Sequence, residues 1–224
     1  MQSRDNVSRV FAIAGLLIGV IALTIGFAAF NQSLVIRSSA EVDVADTPLN
    51  IGFSTATNAI TPGSVTPTVT GVTGATAEDA TLSSTTISGI HAVFTKPGQK
   101  ATYAFKVYNA SPYVAYLNSI VYDDVESETS PKVCKAAAGT TQTYVNNACN
   151  GITITVTVGL GSYIESTNSG ISQGSINHSL AGSSYEDVTV DIEYASGSSE
   201  ADGDFTVDFG DITLNYSTVQ ATGA

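Results

Sequence analysis

The chain has no tryptophan, one methionine, two cysteines and two histidines, and only eight of its 224 residues are Lys or Arg. Each scarcity excludes something. His91 and His178 stand far apart and cannot supply an ordinary histidine-rich zinc set, and no H-E-x-x-H is present. Either ring could in principle serve a Ser-His-Asp relay, but both are read as surface or turn residues. Without tryptophan the commonest sugar-stacking platform is missing, which argues against a pair of glycosidase carboxylates. The shortage of basic residues leaves a net charge of −12 and a pI near 4.2. Two of the three arginines, Arg4 and Arg9, precede residue 10, so the remainder is more acidic still. Such a surface repels phosphate backbones, and no nucleic-acid partner is expected. The acidity serves solubility.

One long apolar run is present. Residues 10–30, VFAIAGLLIGVIALTIGFAAF, carry no charge and little polarity beyond Thr24. At about 1.5 Å per residue a helix of this length just crosses a hydrocarbon core of about 30 Å. Arg4, Arg9 and the terminal amine against Asp5 bias the N-terminus to the cytoplasm and send the rest of the chain outward. Two readings stand. The run is longer than a usual signal-peptide core, which favours a retained anchor. Gly26 and Ala28 provide the small residues a signal peptidase needs, which favours cleavage. A buried core helix is disfavoured, because nothing downstream looks like a helical partner. The domain division is therefore 1–30, signal or anchor, and 31–224, an exported body at the cell surface or beyond it.

In that body the apolar pattern has the period of strands. Leu34, Ile36, Val42 and Val44 alternate with polar residues. A short strand is expected at residues 50–54 and an irregular exposed loop up to about residue 75, broken by Pro62 and Pro67. Residues 81–94 add one or two strands, with Ile87, Ile90 and Val93 as apolar points. After the Pro97-Gly98 turn, Tyr103, Phe105 and Val107 share a strand face. Residues 114–122 resume after a second turn, which reads as two adjacent antiparallel strands. Residues 152–158 alternate without a break, residues 159–184 read as loop, and Val188, Val190, Ile192 and Tyr194 share one face of the next strand. In residues 205–216 the alternation shifts phase at Gly210-Asp211, as a bulge or bend would cause. Eight to ten short strands and no good helix after Phe30 predict a mainly β fold. The expected architecture is a single β-sandwich of jelly-roll or Greek-key type preceded by one N-terminal apolar helix.

Cys134 and Cys149 suggest a disulfide in an exported chain, with two unpaired thiols as the alternative. Acidic clusters at residues 123–128 and 200–211 are rich in calcium-type oxygen ligands, yet neither has EF-hand spacing. Solvated loop charge is the simpler account, and no metal ligand set is assigned. Asn31, Asn109, Asn177 and Asn215 begin N-x-S tripeptides. Lys106 could in principle form an isopeptide cross-link, though an ordinary outward lysine is the simpler reading.

Several segments together carry a resemblance. The leader ending in GFAAF is followed by SLVIRSSAEVDV and LNIGFST, then by KPGQKATYAFKVYNASPYVAYL and the closing GDFTVDFGDITLNYSTVQ. This set resembles the camelysin and TasA type of exported surface and biofilm-fibre proteins. The resemblance implies export, a jelly-roll sandwich and, in some members, fibres assembled by donating an N-terminal strand to the next subunit. Leu34, Ile36, Val42 and Val44 would then line the donated strand; the alternative is pairing within the same domain. Metalloprotease activity, ascribed to some relatives, is not carried over. The expected function is a non-enzymatic, cofactor-free surface structural or interaction protein. It would partner itself as a homopolymer, or other surface proteins, and touch the membrane through residues 10–30 if uncleaved. The alternative is a monomeric membrane-anchored adhesin or binding module with a ligand in its loops.

Overall fold

Three strands bury one face each because every second residue is apolar. They are β8 (Lys100–Asn109), β11 (Ile152–Val158) and β14 (Ser184–Tyr194). In the structure, a computed structural model that describes residues 48–165, 176 and 178–220, they lie side by side. The register sets Phe105 against Val188, Tyr103 against Val190 and Val156 against Val190, all buried. Burying each such side chain stabilises the fold by about 1.5–3 kcal/mol. The opposite phase, including Thr102, Lys106, Thr155 and Asp187, faces solvent. Two short strands, β1 (Ile51–Ser54) and β3 (Thr68–Thr70), pair one after the other along the free edge of β8. On the far side, β12 (Gly161–Glu165) closes a hairpin with β11.

Two further sheets face the rest of the core. One runs β13 (His178–Leu180), β9 (Ala115–Tyr122), β16 (Ile212–Ser217), β6 (Thr86–Ser88), β5 (Ala80–Ser83) and β2 (Gly63–Val65). The other runs β10 (Lys132–Ala136), β15 (Phe205–Phe209), β7 (His91–Phe94) and β4 (Thr76–Ala77). The chain passes between them at Gly89-Ile90 and again at Gly210-Asp211. A Cβ on Gly210 would sit 1.9 Å from the Asp123 carbonyl oxygen, so only glycine fits there. The phase shift at this point is therefore a change of sheet rather than a bulge. All three sheets feed one apolar cluster within the compact unit of residues 45–224. Tyr194 of β14 meets Phe205 of β15 at 5.4 Å and Phe94 of β7 at 6.1 Å between ring centroids.

β8 and β9 do not pair; they belong to different sheets. Each buries one face (Tyr103 and Val107 on β8, Leu117 and Ile120 on β9), and facing each other across a core satisfies that pattern as well as pairing does. Residues 55–75 and 159–184 are not only loop, since they hold β2, β3, β12 and β13. Residues 81–94 hold three strands, and Val93 faces outward while Ala92 and Phe94 are buried. A helix does follow residue 30: α1 (Gln142–Cys149), whose Val145 and Ala148 enter the core. Its sequence, with Thr, Val and Asn, is a poor helix former, so packing rather than propensity holds it. Among the described residues no helix is long and apolar enough to cross a membrane. The apolar run at residues 10–30 and the helix expected there lie outside the described residues.

Buried polar groups fasten the connections. Asn109 is fully buried; its Nδ2 donates to the carbonyls of Tyr113, Leu180 and Ala181, and its Oδ1 accepts from Ser111 N and Oγ. This one amide joins the β8–β9 connection to the β13–β14 turn. Gly182 in that turn lies so close that a Cβ would be 2.4 Å from the Pro112 backbone. At the opposite end of β8, Gln99 accepts from Thr95 N and Lys96 N and donates to the carbonyls of Val72 and Thr73. The Tyr103 hydroxyl donates to the carbonyls of Glu78 and His91, and burial pushes its pKa up to about 12.

Both kinds of group can be tested by substitution. Asn109→Ala leaves buried carbonyls and Ser111 without their partner and should cost about 3 kcal/mol in urea unfolding; a loss under about 0.5 kcal/mol contradicts the assignment. Tyr103 has a folded pKa above its unfolded one, so its contribution is complete below about pH 10 and is lost as pH rises through about 12. The melting temperature should fall across that window, and less steeply in Tyr103→Phe.

Candidate functional site

The fold gives each of the two histidines a carboxylate. His91 on β7 stands opposite Asp208 on β15, with Nδ1 to Oδ1 at 2.6 Å. Lys135 on β10 reaches the other oxygen of Asp208 at 3.5 Å. Three adjacent strands are thus tied across their outward face. His178 on β13 and Glu186 on β14 form the second pair, bridging two different sheets. Gly159 lies close to it: a Cβ there would be 3.0 Å from Glu186 Oε2 and 3.3 Å from His178 Cε1. A relay needs an imidazole held between a hydroxyl and a carboxylate. Here each ring is hydrogen-bonded to a carboxylate on another strand, a contact that ties strands together. The run of residues 170–174, Gly-Ile-Ser-Gln-Gly, matches G-x-S-x-G around Ser172 and lies outside the described residues.

Several acidic residues are spent on structure. Asp202 accepts a hydrogen bond from Thr141 N at 2.9 Å, capping α1 from a distant loop. Hydrogen bonds from the Thr141 side chain and backbone hold the Asp202 carboxyl below the usual range. Asp187 and Asp191 pair with Lys106 and Lys100, and Thr102 also donates to Asp191. Residues 123–131 turn through their own backbone, with Val125 N donating to the Ser130 carbonyl and Asp123 N to that of Asp211. Among the described residues no group of three or more His, Cys, Asp or Glu could hold a metal ion. Asp187 is mostly exposed, so the Lys106 pair is a solvated ion pair rather than a shielded cross-linking centre.

The sulfurs of Cys134 and Cys149 lie at disulfide distance, with Cα atoms 6.0 Å apart. The link ties edge strand β10 to the last turn of α1. Gln142 completes the seal: its Nε2 donates to the Cys134 carbonyl and its Oε1 accepts from Ala136 N. The side-chain amide thereby takes the place of a neighbouring strand on the β10 edge, which would otherwise invite pairing with another chain. Lys132 Nζ donates to the carbonyls of Cys149 and Ile152, placing a positive charge where the helix dipole is negative.

Of the N-x-S asparagines, Asn109 is buried with its Nδ2 committed to three carbonyls and offers no attachment point. Asn215 is exposed on β16 and donates to Ser119 Oγ. Asn31, Asn177 and the strand-donation residues Leu34, Ile36, Val42 and Val44 lie outside the described residues. Sequence reasoning missed Gln142 and the His178–Glu186 pair. The second had a signal, since Glu186 falls in the same inward phase as Val188, Val190 and Ile192. No protein-family profile, curated protein or solved structure matches this chain.

The sulfur pairing makes a direct prediction. Native, unreduced protein should leave both cysteines unlabelled by a maleimide. The Cys134→Ser variant should lose about 3 kcal/mol of stability, as expected for opening a loop of this size. Full labelling of the folded protein overturns the link.

Proposed function

We propose that this chain is an exported cell-surface structural protein whose work is contact rather than catalysis. In this reading the three sheets form one bent β-sandwich, and residues 10–30 deliver it to the outside, as anchor or as cleaved signal. A disulfide fits an oxidising compartment. The ion pairs and buried amides described above tie strands and turns together, which suits a body that must keep its shape.

Assembly by strand donation belongs to the same proposal. The observation that carries it is the weakness of one set of edges. Residues 63–77 give each of the three sheets a border strand of only two or three residues, β2, β3 and β4. Borders so short hold few ladder bonds. A longer incoming strand could displace one of them at small cost while burying its own apolar face. Residues 34–44, with Leu34, Ile36, Val42 and Val44 in alternation, have the pattern of such a strand.

Electron microscopy of the secreted protein tests this. Filaments should form from the intact chain and vanish when residues 34–44 are deleted. Monodisperse particles under all conditions would instead mark a monomeric adhesin.

A further inference from the structure

The surface is not uniform from end to end. The register brings the β8–β9 connection, the β11–β12 hairpin tip, the β13–β14 turn and the end of β16 to the same end of the domain. This end carries Tyr113, Val114, Leu160, Tyr185 and Val219, five of the nine large apolar side chains that are exposed among the described residues. Leu160 is fully exposed at its hairpin tip, and Val219 is 72% exposed. Tyr108, directly opposite Tyr185, and Tyr116, opposite Ser217, stand half-buried beside them.

Charge is distributed the other way. The acidic side chains at this end, Glu186 and Asp187, are each paired, with His178 and Lys106. The acidic loops 123–128 and 200–204 leave from the far ends of β9 and β14. Lys106 also lies 4.8 Å from the Tyr185 ring centroid, so the cation itself is folded onto an aromatic. The backbone enters the described domain at this same end, where Ala110 N donates to the Asn50 carbonyl. Upstream lie only residues 31–47 between it and the apolar run.

We propose that this end is a membrane-contact surface, resting on the interfacial layer of the bilayer that residues 10–30 enter. Tyrosine, with a polar tip on an apolar ring, suits the headgroup level, and Leu160, Val114 and Val219 suit the acyl boundary just below it. The acidic far end points away from anionic lipid. The inference rests on the anchored form of the reading above.

The absence of tryptophan permits a clean test. The full chain carrying Leu160→Trp is reconstituted into phosphatidylcholine vesicles containing brominated acyl chains. A second variant, Val121→Trp, places the probe on the outer face of β9, away from this end. Leu160→Trp should be quenched about twofold relative to unbrominated lipid, while Val121→Trp stays unchanged. Flotation with the vesicles but no quenching at 160, or equal quenching at both positions, overturns the contact face and leaves the anchor standing. A concentration-dependent blue shift at 160 without lipid shows that a second copy covers the face, and this also overturns it. Failure to float overturns both the face and the anchor.

Discussion

Everything in the described domain depends on one constraint: three sheets must spend their apolar faces on a single shared core. β8, β11 and β14 present an inward set made up mainly of Tyr, Phe, Val and Ile, and no single-layer arrangement could hide it. The second surface comes from strands that change sheet at Gly89 and Gly210. The aromatic contacts of Tyr194 with Phe94 and Phe205 then bind one end of that surface to β14. With the core filled this way, the remaining polar groups must be placed at edges and connections. Asn109, Gln99, Tyr103 and Gln142 do that work.

The edges divide into two kinds. The β10 border is sealed by α1, by the Gln142 amide and by the sulfur link. The borders made by residues 63–77 are short and rest on few bonds. One border is thus closed by three separate means, and the others are thinly held. The two ends differ as well, one lined with tyrosine and aliphatic tips, the other with carboxylates.

Much of this was legible in the sequence where the pattern is long. Ile152 to Val158 and Val188 to Tyr194 alternate over enough residues to specify strand and face together. The pairing of β8 was not legible, because an apolar stripe is equally satisfied by a neighbour beside it or opposite it. Strands of two or three residues, such as β4, carry too little periodicity to be seen. The α1 helix depends on Val145 and Ala148 reaching a core built by distant strands, and on Asp202 capping it from 61 residues away. Of the candidate site, the cysteines were readable from their number and context. Glu186 could have been read from its phase, whereas Gln142 offered no signal, because its role exists only once β10 has an edge to cover.

The shared core is tested most directly by native-state hydrogen exchange at increasing urea. If all three sheets depend on it, the slowest amides of β14, β16 and β15 should exchange with one common free energy, reached together at global unfolding. If β15 and its neighbours opened at markedly lower free energy while β14 stayed protected, the single-core account would be wrong.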